Sequence, residues 1–436
     1  MEIQQAIALR FKQWLQARLQ STVAHNAASL YLIWFADSIV PIIMVPYLVR
    51  VLGPPGYGSV AFGQGLINYL MLFVEYGFDL SATRKISVQR DDLRAINTTA
   101  LYIWSAKGFL ALIGFSVLLA LVGIIPKLKE EIILFLILYG LVLGVMFFPT
   151  WLFLGLERME AVSFIKLGTK LIVLVGVFTL VRKPEHYLLY ACLISFGEIL
   201  FGVIGVIVAF RMFRLRFYKV PWSGVLETLK EGQTLFLSRA LVSLYTAGNA
   251  FILGVLTNNM IVGYYSAAEK IVKSISSLLW PVTHAAYPRF NKLAAESWER
   301  TLIWSRWMLA MMGGLGFFLM VGVLWGAPLI SDLLLGPEFA LSIAVMQVLA
   351  PIILLNAISN VLGVLLMLPL GRDRAFITIL LGAGFLNILL AILLVPVWEA
   401  LGMAIAVLIS QFFVTIMMSI YTHITSRMIL RSRTNS

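Results

Sequence analysis

The sequence predicts an all-α, polytopic membrane protein: twelve transmembrane helices in two six-helix bundles around a central cavity. Three observations lead there. Of the 436 residues, 61% are hydrophobic and 12% are charged, about half the charged share of a soluble domain, and the mean hydropathy is +0.94. Apolar stretches recur near 27–49, 59–80, 98–123, 132–154, 165–181, 188–210, 233–256, 263–287, 305–330, 341–368, 376–396 and 402–424, each long enough to cross an apolar layer about 30 Å thick. The basic residues between them alternate in density. With the N-terminus placed in the cytoplasm, 25 of the 33 Lys and Arg residues fall on cytoplasmic segments. Five (Arg50, Lys127, Lys129, Arg182 and Lys183) fall on the other side, and Lys107, Lys270 and Lys273 lie inside helices.

That asymmetry follows the positive-inside rule and predicts both termini in the cytoplasm. It also explains the net charge of +12 as a topology signal, so no nucleic-acid partner is expected. The single cysteine, Cys192, excludes an internal disulfide and reads as a small buried residue. Four scattered histidines (His25, His186, His284 and His423) suggest no metal site.

Residues 1–25 place Ile3, Ile7, Phe11, Trp14 and Leu15 on one helical face. This predicts an interfacial amphipathic helix rather than a signal peptide, because no small-residue cleavage site follows. The N-terminal bundle is expected over 26–210, a cytoplasmic linker over 211–232, the C-terminal bundle over 233–424 and a cytoplasmic tail over 425–436. An internal echo supports duplication: Gly56-Tyr57-Gly58-Ser59-Val60-Ala61 opens helix two, and Gly263-Tyr264-Tyr265-Ser266-Ala267-Ala268 opens helix eight. Parallel repeats of this kind commonly flank a central substrate site.

Polar side chains inside apolar helices mark candidate function. Helix one carries Asp37, then Pro41 and Pro46, which free backbone carbonyls and bend the helix. Asp37 fits ion or proton coupling, and equally a structural pair with Lys107 or Arg239. Helix two aligns Gln64, Asn68, Glu75 and Asp79 on one face. Gln64 and Asn68 fit a cavity lining, whereas Glu75 and Asp79, close to Arg84 and Lys85, read as a salt-bridged or solvated helix end. Lys107 in helix three is a deep cation. Helix six sets Glu198, a candidate counter-charge, beside Ser195, Gly202 and Gly205, a close-packing pattern. Helix seven aligns Arg239, Ser243, Thr246 and Asn249. Arg239 fits either snorkelling or a forked grip on phosphate. In helix ten, Asn356, Asn360 and Gly363 read as packing contacts.

Helix eight is the most informative stretch. Ser266, Lys270, Lys273, Ser277, Trp280 and His284 are spaced at alternating steps of three and four, one face of an α-helix. Ile271, Ile275, Leu278, Leu279 and Val282 occupy the other face. A cation at bilayer depth costs about 2.5–3.5 kcal/mol on insertion scales, so it faces a wet cavity or a partner. Two cations on one stripe predict a cavity for an anion. The competing reading pairs Lys270 with Glu269 or Glu198 and lets Lys273 snorkel to a surface.

The opening residues are also familiar. Pro46-Tyr47-Leu48-Val49-Arg50-Val51-Leu52-Gly53, then Gly56-Tyr57-Gly58, then Gly77-Phe78-Asp79-Leu80-Ser81-Ala82-Thr83-Arg84, resembles the start of bacterial polysaccharide-biosynthesis flippases. These are the O-antigen and capsule repeat-unit translocases of the multidrug/oligosaccharidyl-lipid/polysaccharide exporter superfamily. The sharp match covers roughly 27–90; length, helix count and two-half layout extend it across the chain.

The resemblance implies a transporter, not an enzyme, in the bacterial inner membrane. It implies carriage of an undecaprenyl-diphosphate-linked oligosaccharide from the cytoplasmic to the periplasmic leaflet by alternating access. Lys270, Lys273, Lys107, Arg239 and Arg50 match the cationic lining such a cargo requires, with Gln64 and Asn68 beside them and Trp280 to stack on sugar. The resemblance further implies proton or sodium coupling, with Asp37 or Glu198 as carrier, and no other cofactor. One charge crossing 100 mV supplies about 2.3 kcal/mol. Membrane lipids, a polysaccharide polymerase and a chain-length regulator are the implied partners.

Three rivals stand beside this reading. A multidrug exporter of the same superfamily would be expected to line its cavity with acids. A flippase for the peptidoglycan lipid precursor fits the opening motif less well. A membrane polymerase or ligase would be expected to carry a sizeable periplasmic loop and a catalytic dyad. Neither is evident, and Asp91-Asp92 reads as a solvated pair.

Overall fold

The computed structural model describes residues 22–434 apart from Ala247; within them, the side chains of 22–31, 33–39, 238, 241, 242, 244–246 and 426–434 are not described. The expected amphipathic helix at 1–25 therefore lies almost wholly outside the described residues, and so do most side chains of the tail.

All regular elements among the described residues are helical. An apolar solvent demands this, because each N–H and C=O must find its partner within the chain. In chain order they are α1 (Thr22–Glu75), α2 (Phe78–Val88), α3 (Leu93–Ile124), α4 (Pro126–Glu130), α5 (Ile132–Phe147), α6 (Thr150–Gly155), α7 (Met159–Leu180), α8 (Tyr187–Met212), α9 (Trp222–Thr246), α10 (Asn249–Leu256), α11 (Asn259–Ser277), α12 (Trp280–Glu296), α13 (Trp298–Ile330), α14 (Ala340–Leu349), α15 (Pro351–Asn360) and α16 (Asp373–Thr434). Single π-turns follow α13 (Ser331–Leu335) and α15 (Val361–Met367).

Eight segments among the described residues are long and apolar enough to cross a membrane. Nine of the twelve expected spans fall inside them to within a residue, the last segment holding two, and a tenth, 27–49, overlaps the first segment from Val40 onward. The first such segment, Val40–Val88, turns at Gly53 (φ 65, ψ 174), where Pro54 and Pro55 bring no N–H. The last, Asp373–Thr425, turns at Glu399 (φ 47, ψ −121), just after Pro396. The other two expected spans, 233–256 and 263–287, fall on interrupted helices. The first divides between α9 and α10, and the second between α11 and α12. The second interruption has a plain cause: Pro281 has no N–H to give the carbonyl of Ser277, the last residue of α11.

The contacts divide the chain into two compact units that do not follow chain order. Unit 1 comprises Met1–Val40, Leu70–Val177 and Cys192–Phe236; unit 2 comprises Pro41–Tyr69, Phe178–Ala191 and Leu237–Ser436.

Within unit 1, α2 packs along α6, and the hydroxyl of Thr83 donates to the carbonyl of Trp151 at 3.2 Å. The expected linker, 211–232, is helical from Trp222. Its loop is clasped by Asn97, which donates to the carbonyl of Arg216 at 2.9 Å and accepts from its N–H at 3.0 Å.

Within unit 2, the two echoed motifs pack on each other. A β-carbon at Gly58 would collide with the carbonyl oxygen of Asn259, and one at Gly263 with the carbonyl oxygen of Pro54. Small residues at both points let the backbones touch. A second centre forms where Leu362 and Met367 of the π-turn meet Ile379, Leu380, Ala383, Val414 and Met418 of α16.

Candidate functional site

Helix α11 carries the richest polar face in unit 2. It starts cleanly, because the side chain of Asn258 accepts from the N–H of Ile261 at 3.0 Å, a standard N-cap. Along one face it presents Ser266, Glu269, Lys270 and Lys273. Ser266 is buried, and its hydroxyl meets no partner. Lys270 and Lys273 both emerge at the surface.

The organising group is Glu269, whose side chain keeps only 16% of its accessible surface. Its Oε1 accepts from three donors: Lys273 Nζ at 3.0 Å, the Tyr265 hydroxyl at 2.9 Å and Asn249 Nδ2 at 3.4 Å. Tyr265 and Asn249 are buried. The Oδ1 of Asn249 accepts in turn from Nδ2 of Asn387 at 2.9 Å. Asn387 is fully buried, and its own Oδ1 has no partner. The chain Lys273–Glu269–Asn249–Asn387 thus draws on α10, α11 and α16, running from an exposed ammonium to a sealed amide.

The expected stripe on helix eight crosses the break at Leu278–Leu279. Lys270 and Lys273 lie on α11, while Trp280 and His284 lie on α12. Those two rings stack at 3.7 Å between centroids, and Trp280 is 37% exposed. Ser276, which the stripe omitted, accepts from Asn356 at 3.3 Å.

The other candidates scatter. Gln64 is half-buried and Asn68 exposed on α1, and Arg239 is half-buried on α9; all three belong to unit 2. Arg50, also in unit 2, donates to the backbone carbonyls of Asp332, at 3.3 Å, and Leu333. Lys107 and Glu198 belong to unit 1. Lys107 is 4% exposed and donates to the carbonyl of Val145 at 2.9 Å; Glu198 is half-buried. The Asp37 side chain lies outside those described. Among the described residues, no three or more His, Cys, Asp or Glu side chains gather to hold a metal ion.

Sequence reasoning treated Glu269 only as a partner for Lys270 and did not single out Asn387 or Tyr265. A signal for Asn387 was present: it is the one polar side chain between Thr378 and Trp398, and such a residue at bilayer depth pairs with another polar group.

An exposed ammonium held by a half-sealed carboxylate is chemically exchangeable. A better anion competes with Glu269 for Lys273, and loss of the Glu269 charge removes that ion pair.

Known proteins place this arrangement in context. The model of a family described as "Polysaccharide biosynthesis protein" matches residues 23–294. The protein named "Putative O-antigen transporter" from Escherichia coli (strain K12) is 26% identical over 400 residues, spanning 92% of this chain and 96% of that protein. Its namesake from Shigella dysenteriae is 27% identical over 395 residues, spanning 90% and 98%. Among solved structures, a multidrug resistance MATE family transporter of the MOP superfamily in an inward-facing conformation superposes with a TM-score of 0.61. It is 14% identical, over 90% of this chain and 99% of that one. The lipid II flippase MurJ in an inward closed conformation gives 0.57 at 14% identity, over 84% and 86%. At such identities these two structures speak to the fold alone. With the matched family model extending from the start of α1 to within α12, over more than half of the chain, this chain belongs to the polysaccharide biosynthesis protein family.

Proposed function

We propose that this protein is a flippase that carries a lipid-linked oligosaccharide, the repeat unit of an O-antigen or similar surface polysaccharide, across the inner membrane by alternating access. The lipid anchor is undecaprenyl diphosphate, and both termini are cytoplasmic. One observation carries the reading: α11 presents Lys270 and Lys273 at the surface, on adjacent turns of one helix face. A diphosphate answers two neighbouring ammonium groups, whereas a cationic drug is repelled by them. The family membership and the O-antigen transporter names of the two relatives support the same cargo. Trp280, exposed on α12, offers an apolar face for a sugar ring.

The same site supplies coupling. Protonation of Glu269, or a sodium ion at its carboxylate, weakens its hold on Lys273 and favours transfer of that ammonium to the diphosphate. Cargo and coupling ion therefore act on one ion pair, and each shifts the other's occupancy only through that shared contact. In this reading Glu269 takes the carrier role that sequence alone gave to Asp37 or Glu198.

The test uses a strain lacking the gene, in which the lipid-linked repeat unit accumulates on the inner leaflet. Restoring the wild-type chain returns surface polysaccharide. The double variant Lys270→Ala, Lys273→Ala inserts normally and returns none. Full export by the double variant overturns the anion site, and a deletion strain that still exports overturns the flippase reading.

A further inference from the structure

Unit 1 contains two helix breaks, and a lysine answers the second of them. The first separates α1 from α2, where Tyr76 (φ 49) and Gly77 (φ 75) both take left-handed conformations. The second separates α5 from α6 at Phe148 (ψ 121) and Pro149 (ψ 61).

The second break costs hydrogen bonds in a predictable way. In a continuous helix the carbonyl of Val145 accepts from the N–H of residue 149. That residue is Pro149, which has none. The carbonyl of Phe147 likewise loses its regular partner as the helix turns. Both acceptors are met from α3. Lys107 Nζ donates to Val145 at 2.9 Å, and Trp104 Nε1 donates to Phe147 at 3.0 Å. Trp104 and Lys107 stand three residues apart and so share a helix face.

The first break is signposted by acids. Glu75 is the last residue of α1, and Asp79 lies in the first turn of α2. The helices beyond the breaks, α2 and α6, then pack along each other. The Thr83–Trp151 bond joins them, and Ile86 fills the space over Gly155.

We propose that Lys107 is a positioning residue whose ammonium replaces the amide missing at Pro149 and so fixes the setting of the α5–α6 break, with α2 held in turn by its packing along α6. This assignment differs from the cargo-binding role the sequence suggested for Lys107, and it stands whatever the cargo is.

The experiment is hydrogen–deuterium exchange on the full chain in lipid nanodiscs. Lys107→Met is expected to raise exchange about tenfold or more in 76–88 and 145–155, as loss of a charged hydrogen bond implies, with 340–367 unchanged. Adding Pro149→Ala to Lys107→Met restores an amide donor for Val145. Protection is then expected to return to 145–155 and, through the α2–α6 packing, to 76–88. Should Lys107→Met fail to insert, Lys107→Gln, neutral but still a donor, is expected to raise exchange in 145–155 about fivefold, the difference between a charged and a neutral hydrogen bond. Wild-type exchange at 145–155 in Lys107→Met or in Lys107→Gln overturns the proposal. A uniform rise throughout unit 1 also overturns it, since Lys107 would then serve general stability. So does a Pro149→Ala substitution that restores nothing.

Discussion

Lys273 Nζ lies 3.0 Å from Oε1 of Glu269, one turn earlier on α11, with the lysine 54% exposed and the carboxylate 16% exposed. The pair is lopsided: one end is wet and the other is held by Tyr265 and Asn249. Glu269→Gln keeps a side chain of the same shape for both buried partners but removes the charge. An i,i+4 helix pair is worth about 0.3–0.5 kcal/mol, so loosening Lys273 is expected to tighten binding of undecaprenyl diphosphate by about twofold. The larger expected effect is on coupling, with transport in proteoliposomes no longer responding to an imposed proton or sodium gradient. Retention of wild-type gradient dependence would remove Glu269 from the coupling role.

The Asn249–Asn387 bond invites a double-mutant cycle. Asn387→Leu deletes the donor and leaves Oδ1 of Asn249 buried without its 2.9 Å partner. A stranded buried acceptor costs about 1–3 kcal/mol, whereas replacing both members by apolar groups is nearly neutral. The apparent Tm in detergent is therefore expected to fall for Asn387→Leu and to recover in Asn249→Leu, Asn387→Leu. Export is expected to fail in the double variant even so, because it also strips Glu269 of a donor. Recovery of export together with Tm would reduce the pair to packing.

The legible part of this molecule is what periodicity encodes. Apolar run length located the helices, and spacing placed Lys270 and Lys273 on one face of α11. The echo between Gly56-Tyr57-Gly58 and Gly263-Tyr264-Tyr265 was visible, although nothing in it said that the two copies touch. What stayed hidden depends on partners that a pattern cannot name. Lys107 bonds to a backbone carbonyl, and only Pro149, four residues beyond Val145, hinted at an acceptor needing a donor. Arg50 likewise caps a turn some 280 residues away. The Tyr76–Gly77 break turns partly on a left-handed tyrosine, a conformation rare for bulky side chains and fixed by tertiary packing. By contrast Pro281 stood in plain view, and weighting it would have ended the helix-eight stripe before Trp280.

Glycines offer a sharp internal contrast. A methyl group on Gly58 meets the backbone oxygen of Asn259, which no rotamer change can move aside. Gly58→Ala is expected to cost about 1–3 kcal/mol through forced backbone shifts, read as a lower apparent Tm and reduced folded yield. A methyl group on Gly313 or Gly322 meets nothing within 4 Å. Those two alanine variants are expected to hold or slightly raise the Tm, because alanine favours helix over glycine by about 1 kcal/mol. Equal behaviour of Gly58→Ala and Gly313→Ala would show that the two echoed motifs do not press together.

Arg50 separates a structural cation from a cargo-binding one. Its guanidinium donates to the carbonyls of Asp332 and Leu333 in the π-turn Ser331–Leu335, which ends at Gly336 with φ 90. Terminal carbonyls of a helix lack intrahelical partners, and a basic side chain there both bonds them and meets the negative end of the helix dipole. Arg50→Met preserves the stem and deletes the donors. The apparent Tm is expected to drop by a few degrees, while the affinity of the folded fraction for undecaprenyl diphosphate stays at the wild-type value. Arg50→Lys, with one ammonium for two acceptors, is expected to fall between. An unchanged Tm with affinity lost tenfold would return Arg50 to the lipid headgroup, because the two carbonyls would then be answered by water and the charge would be serving the cargo.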